Sequence, residues 1–286
     1  MKGLWQLFCI LFKECIYRIA EVLKGISCVF RTLCKGKRAK LEKYSKNVLI
    51  IGNGPSLNEV ELEKIVSVCD DVVCVNLFPL RDERFWKIKP KYLCLIDPCY
   101  YEEEKEEEIE LLFQALEKVD WEMKLLCTQK SKLPISNSKI SYEYINSCPF
   151  YGHGLRYFRK MLYDNNLANC GQQNVVTAII YYFVAKYAKT IYLIGTDMTE
   201  FRNLYVDINN DVYIENPHCY EKEEVERLYP TYFKRGELYR HLWCYQRTFE
   251  QLYYVAEYAK INNVVVKNLS VNSYLDMFDK MEYRNI

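Results

Sequence analysis

The sequence predicts an α/β fold: one domain on a mostly parallel sheet, closed by a lid, behind an N-terminal amphipathic helix. Three observations predict it. Continuous apolar runs at residues 48–51, 72–75, 92–96 and 190–194 suit strands buried on both faces, as in a parallel sheet. Three of these runs deliver an amide or carboxylate at the carboxyl end, namely Asn53, Asn76 and Asp97. A helical pattern over 175–187 leads directly into the strand at 190–194, which adds an αβ unit.

Composition narrows the function classes. The 286 residues carry a formal net charge of only +1, which argues against a dedicated nucleic-acid binder. Half of the residues are hydrophobic, so the chain can bury a large core. Its 26 tyrosines suit sugar or nucleotide contacts, or amphipathic packing. The 13 cysteines are odd in number, scattered and without a CxxC pair, so neither a zinc site nor a secreted disulfide framework fits. A reducing cytosol is expected.

Residues 1–44 form a separate N-terminal segment, with the main domain at 45–286. Leu4, Trp5, Leu7, Phe8, Ile10, Leu11 and Phe12 make a dense apolar block, followed by apolar residues at helical spacing and interleaved Lys and Arg. The block is shorter than the ~20 apolar residues of a membrane span, and charges follow it too soon for a signal peptide. A basic amphipathic helix on an anionic membrane surface, formed by residues 1–40, fits the pattern. Docking on the protein's own core or on a partner chain is the alternative.

The first strand ends in Gly52-Asn53-Gly54-Pro55-Ser56-Leu57. Gly52 and Gly54 allow positive φ and close approach of a ligand to bare backbone. Ser56 and Glu59 spell a capping box, which starts a helix near Leu57 and makes the turn an anion site. The turn is neither a GxGxxG nor a GxxxxGK[ST] motif. A helix over 60–68, a second strand ending in Asn76 and a third ending in Asp97-Pro98 follow. Ligands of open α/β sheets bind at that edge.

The acidic run at 102–110 opens a solvated helix. A fourth strand is expected at 124–127, and an edge strand at 140–145 within a polar stretch. Asn174 is placed as N-cap of the helix over 175–187. The strand at 190–194 exits through Gly195-Thr196-Asp197. Residues 198–242 lose periodicity and are expected to form a lid with short helices. A helix over 248–260 and a last strand at 264–266 close the domain.

The order of these motifs, ending with Asn272-Ser273-Tyr274-Leu275, resembles the bacterial sialyltransferases of glycosyltransferase family 42 and related capsule and lipopolysaccharide proteins. The resemblance covers residues 47–278 and rests most on the GNGPSL turn. It implies a Rossmann-like domain with a lid, a CMP-sugar donor, no metal and no further cofactor, and inversion at the anomeric centre. Asn53, Asn76 and Asp97 would line the CMP site, together with Gly52, Gly54, Ser56, Asn174, Gly195 and Asp197. The family usually has asparagine where Asp97 stands, and small hydroxyl residues where Asn174 and Val175 stand. Of its two lid tyrosines, Tyr205 matches one, and Thr199 occupies the other position.

The implied reaction is displacement of CMP by an acceptor hydroxyl, with histidine as the base and Tyr205 as a donor to the leaving phosphate. His218 lies in a segment resembling the family's lid histidine, and His241 is the second candidate. The acceptor would be a glycan or glycolipid, the location the inner face of the bacterial membrane, and a homo-oligomer stays open. A nucleotide-dependent pyrophosphokinase and an inactive membrane scaffold are the competing readings.

Overall fold

The computed structural model describes residues 2–34, 41–128, 133–215, 219, 225–227 and 234–286. The chain runs α1 (Lys2–Cys34), β1 (Asn47–Ile51), α2 (Leu62–Ser67), β2 (Asp71–Val75), α3 (Phe78–Arg81), α4 (Arg84–Ile88), β3 (Tyr92–Leu95) and α5 (Glu107–Leu116). It continues through β4 (Met123–Thr128), β5 (Ile140–Ile145), α6 (Arg156–Asp164), α7 (Val175–Ala185), β6 (Thr190–Ile194), β7 (Tyr205–Val206), β8 (Val212–Glu215) and β9 (Val225–Arg227). It closes with α8 (Leu238–Ile261), β10 (Val265–Asn268) and β11 (Asp279–Lys280).

Eight strands form one sheet in the order β11-β10-β6-β1-β2-β3-β4-β5. Every pairing in it is parallel, so the expected mostly parallel sheet is wholly so. The expected edge strand at 140–145 is β5 and lies at the sheet's end. Each strand splits its apolar residues by pleat. Val48, Ile50, Val73 and Val75 face the layer of α7 and α8, whereas Leu49, Ile51, Val72 and Cys74 face the layer of α2 and α5. Both faces are therefore covered, which explains the unbroken apolar runs. All eleven residues of α7 are buried, since α8 covers the side that the sheet does not. The thirteen cysteines are free thiols.

The strand order reverses at β1. From there the chain builds outward through β2 to β5, then returns to place β6 on the other side of β1. The carboxyl ends of β1 and β6 thus form the switch point at which doubly wound sheets open a crevice.

The turns after β1 and β6 cross there in direct contact. Gly52 N–H donates to Ile194 O at 2.8 Å, and Gly54 N–H donates to Gly195 O at 2.8 Å. A Cβ on Gly52 would come within 2.2 Å of Gly195 O, and one on Gly195 within 2.5 Å of Gly52 O. Two sequence expectations are corrected at this point. Gly54 has φ −70, and Gly52 is not among the positive-φ residues. Both glycines are required by the opposite turn. Nor does an α-helix start near Leu57: Pro55–Glu59 is a short 3₁₀ segment without a side-chain cap, and α2 begins only at Leu62. Ser56 is drawn away from any capping role by Asp197, described below.

Residues 198–242 contain more β-structure than expected. After a 3₁₀ turn at Glu200–Asn203, β7, β8 and β9 form a separate antiparallel sheet. The helix expected over 248–260 starts ten residues earlier, at Leu238.

The N-terminal segment is a single 33-residue helix. Its second half docks through Glu21, Gly25, Cys28 and Thr32, which share one side. Thr32 Oγ1 donates to Leu167 O at 2.9 Å and accepts from Asn146 Nδ2 at 3.1 Å. Gly25 admits the Phe158 ring, which a Cβ would meet at 2.4 Å. No helix among the described residues is long and apolar enough to cross a membrane.

Gly52→Ala should cost about 3 kcal/mol in urea denaturation, because backbone must move on both turns. Gly154→Ala has φ +71 but nothing within 4 Å of the new Cβ, and should cost only about 1 kcal/mol for the left-handed backbone. Equal losses in the two variants would remove the crossing as the cause.

Candidate functional site

Two adjoining chambers open at the switch point. The first, about 130 Å³, is lined by Gly52, Asn53, Gly54, Asn76, Asn174 and Gly195, and by Thr196 to Glu200. The second, about 310 Å³, is lined by Ser56, Glu59, Arg202, Asn203 and Asn272. Pro55, Asp197 and Thr199 border both. Their combined size suits a small ligand. A larger cavity of about 690 Å³ lies between α6, α8 and the C-terminal segment, around Arg156, Tyr253, Glu257, Lys260 and Asp276. None of its lining residues carries a buried polar atom without a partner, whereas the switch-point chambers have several.

Those unpartnered atoms define the chemistry of the first chamber. Asn53 Oδ1 and Asn76 Oδ1 are buried and accept no hydrogen bond from the described residues. Thr196 Oγ1 is in the same condition. A buried polar group without a partner costs about 1–3 kcal/mol, so such atoms converge where a ligand or water completes them.

Asp97 explains the orientation of Asn76. Burial raises the Asp97 pKa, and a hydrogen bond from the Asn76 side chain opposes that rise. An ionised carboxylate only accepts, so it favours the amide orientation that turns the Asn76 NH₂ group toward Asp97. The Asn76 carbonyl oxygen is buried without a partner beside the chamber. Asn76 also sits at φ +51, a left-handed conformation that asparagine tolerates at a strand end. Asp97 is half-buried and lines neither chamber; it acts on the site through Asn76.

Asp197 organises the opposite wall. Its Oδ2 accepts from Ser56 Oγ at 2.9 Å and from Ser56 N–H at 3.3 Å. Ser56 Oγ also lies 2.7 Å from Ser270 Oγ. Burial raises the Asp197 pKa, and the Ser56 hydrogen bonds oppose the rise. This carboxylate takes the Ser56 N–H that an anion would use, and Gly52 and Gly54 spend theirs on the carbonyls of Ile194 and Gly195. The anion site expected at the glycine turn is therefore already filled by the protein.

The C-terminal segment holds this wall in place. Ser273 Oγ donates to Thr196 O at 2.7 Å, and Tyr274 N–H donates to Asp197 O at 2.9 Å. Asn174 caps α7 as expected, its Oδ1 accepting from Val176 N–H at 2.8 Å. The lid region touches the site at Cys219, whose N–H donates to Asn53 O at 2.8 Å. Asn58 Nδ2 donates to Cys219 O at 2.6 Å. Burial pushes the Cys219 thiol up to about 12, so it is no thiolate nucleophile at neutral pH. Among the described residues, no three His, Cys, Asp or Glu side chains gather closely enough to hold a metal ion.

The structure thus brings together Gly52, Asn53, Gly54, Ser56, Asn76, Asn174, Gly195 and Asp197. Two other candidates lie elsewhere. Tyr205 stacks on Tyr213 across β7 and β8, with ring centroids 5.3 Å apart, and lines neither chamber. His241, in the first turns of α8, lies 3.2 Å from the Tyr245 hydroxyl, and burial lowers its pKa. His218 lies outside the described residues. Thr196, Ser270 and Arg202 were not singled out from sequence. Thr196 stands inside the Gly195–Asp197 motif, but nothing local marks Ser270 or Arg202.

Ser56→Ala should cost about 1–3 kcal/mol at pH 8, because ionised Asp197 loses its hydroxyl donor. The folded pKa of Asp197 is already raised, so its favourable contribution is complete below the unfolded value and is lost as pH rises through the folded value. The variant raises that value further, so its penalty should shrink toward pH 4. A penalty equal at pH 4 and pH 8 in urea denaturation would disconnect Ser56 from the carboxylate.

No protein-family model matches this chain, and no curated protein matches it. Solved structures of the α-2,3/8-sialyltransferase CstII have a similar chain path. A point mutant is 16% identical with TM-score 0.44, covering 82% of this chain and 86% of that one. The Campylobacter jejuni enzyme with a substrate analogue, cytidine-5′-monophosphate, is 16% identical with TM-score 0.43, covering 84% and 86%. A complex with a trisaccharide acceptor and CMP is 16% identical with TM-score 0.43, covering 82% and 85%.

Proposed function

We propose that this protein is an inverting, metal-independent glycosyltransferase. It moves sialic acid or another nonulosonate, such as Kdo, from a CMP-sugar to a glycan or glycolipid of the bacterial envelope. The observation that supports this reading most is the pair of buried, unpartnered amide oxygens, Asn53 Oδ1 and Asn76 Oδ1, of two residues that line the first chamber. They call for a ligand rich in hydrogen-bond donors, and the cytosine amine and ribose hydroxyls of CMP supply them. Asp97, by fixing the Asn76 amide, makes the chamber selective for donors over acceptors.

The second chamber receives the phosphate and the sugar. Arg202 lines it and supplies positive charge. Tyr205 follows three residues later, and its hydroxyl reaches the leaving phosphate once the lid moves over the donor. The acceptor hydroxyl attacks the anomeric carbon from the face opposite the phosphate, the C–O bond to CMP breaks, and the proton passes to a histidine. His218 is the preferred base, because its segment, Asn216 to Tyr220, resembles the family's lid histidine segment. No step requires a cation, since amides, hydroxyls and Arg202 act on the leaving group instead.

In a thermal-shift screen with EDTA, CMP should stabilise the protein more than CDP, UDP, GDP or ATP. Stabilisation only by ATP with Mg²⁺ would replace this reading with a phosphotransfer one. Asn76→Ala should weaken CMP binding at least about tenfold, equivalent to ~1.4 kcal/mol, and Asp97→Ala should do so through loss of amide orientation. His218→Ala should abolish transfer while CMP affinity stays within a factor of about two. Unchanged turnover would reject His218 as the base.

A further inference from the structure

The outward side of α1 has no function in the fold or in the reaction above. Its docked side carries Glu21, Gly25, Cys28 and Thr32. Opposite to it, Ile16, Ile19, Leu23, Ile26, Phe30 and Leu33 recur at alternating spacings of three and four and form a continuous exposed apolar stripe. A helix that docks through its small and polar side and turns its large apolar side outward inverts the usual arrangement. Something other than this chain's own core must cover that stripe.

Two observations identify the cover. The first is the shape of the apolar surface. No described side chain of α1 before Glu21 is buried, and Ile10, Leu11 and Phe12 are exposed by 63%, 56% and 57%. Consecutive residues turn by about 100°, so these three point in three directions. A second α1 packed along the stripe would match its spacing, but would cover only one of those directions. A surrounding apolar phase covers all three. The second observation is charge. Residues 1–40 hold nine Lys and Arg against two Glu, whereas residues 41–286 hold thirty against thirty-six. The basic excess of the whole protein is confined to this segment, and an anionic surface attracts it while repelling the body.

We propose that α1 binds the surface of an anionic lipid bilayer. Its N-terminal half enters the boundary between headgroups and acyl chains, and the stripe on its second half lies along that boundary. Lys13, Lys24 and Arg31 meet the headgroups. The docked half joins this anchor to the site. Thr32 accepts from Asn146, and Asn146 O accepts from Gln172 Nε2 at 2.9 Å, two residues before Asn174. The anchor is therefore tied to the segment that carries one wall of the chamber.

The test is co-sedimentation of the full chain with phosphatidylcholine vesicles, with and without roughly a third phosphatidylserine. At low salt, binding to the anionic vesicles should be at least about tenfold tighter, and 0.5 M NaCl should weaken it by a similar factor. Ile19→Ser with Leu23→Ser should reduce binding at least about tenfold with an unchanged melting temperature, as both side chains are exposed. Ile10→Ser, placed well before the docked side, should reduce binding without touching the interface with the body. CMP stabilisation, measured in the same samples, should not change in any variant, so failure here and failure of the proposed function are distinguishable. Equal binding to both vesicles, no binding, or a lipid-free dimer dissolved by the stripe substitutions would each overturn the proposal. The last result would assign the stripe to a second copy of the chain.

Discussion

The architecture depends on the contact between two bare backbones, where the turn after β1 crosses the turn after β6. With Gly52 and Gly195 facing each other, neither position leaves room for a side chain. The crossing pairs the Gly52 and Gly54 N–H groups with β6 and its turn, and it brings Asp197 onto Ser56. The crevice forms beside this knot. Asn53 is carried on one side of it, Thr196 on the other, and Asn76 comes from the adjacent strand. Backbone satisfaction is thus achieved within the protein, and the side-chain amides are what remain for a ligand.

Charge in the crevice is arranged to one end. Two carboxylates, Asp97 and Asp197, lie beside the chambers, and burial raises both pKa values. Each is stabilised by a donor from a neighbouring strand end, Asn76 in one case and Ser56 in the other. Among the described residues, neither belongs to a group of three or more His, Cys, Asp or Glu side chains that could hold a metal ion. They work as acceptors that fix the direction of a neighbouring polar group.

Much of this was legible in the sequence, for reasons specific to each element. Unbroken apolar runs identify strands covered on both faces, and β1, β2, β3, β4 and β6 all carry them. Asn174 is recognisable as a cap because it precedes eleven residues that are all apolar except Thr177. The Ser56–Glu59 spacing misled, because a capping motif is local while the competing partner, Asp197, lies 141 residues away. Gly52 and Gly54 were legible as positions without room for a side chain. That the obstruction was the chain's own backbone, and not a ligand, depended on strand order, which no local pattern encodes. Ser270 and Arg202 reach the site for the same reason. The antiparallel sheet of β7, β8 and β9 escaped notice because its strands are only two to four residues long.

The complete burial of α7 has a consequence for how the polypeptide is made. This helix finishes at Ala185, and α8, which supplies its outer cover, begins only at Leu238. During vector synthesis from the N-terminus, an uncharged greasy rod thus waits for more than fifty residues to emerge before its shield exists. Nascent chains stalled in that interval are sticky, and holdase chaperones would capture them there rather than at either end of the polypeptide.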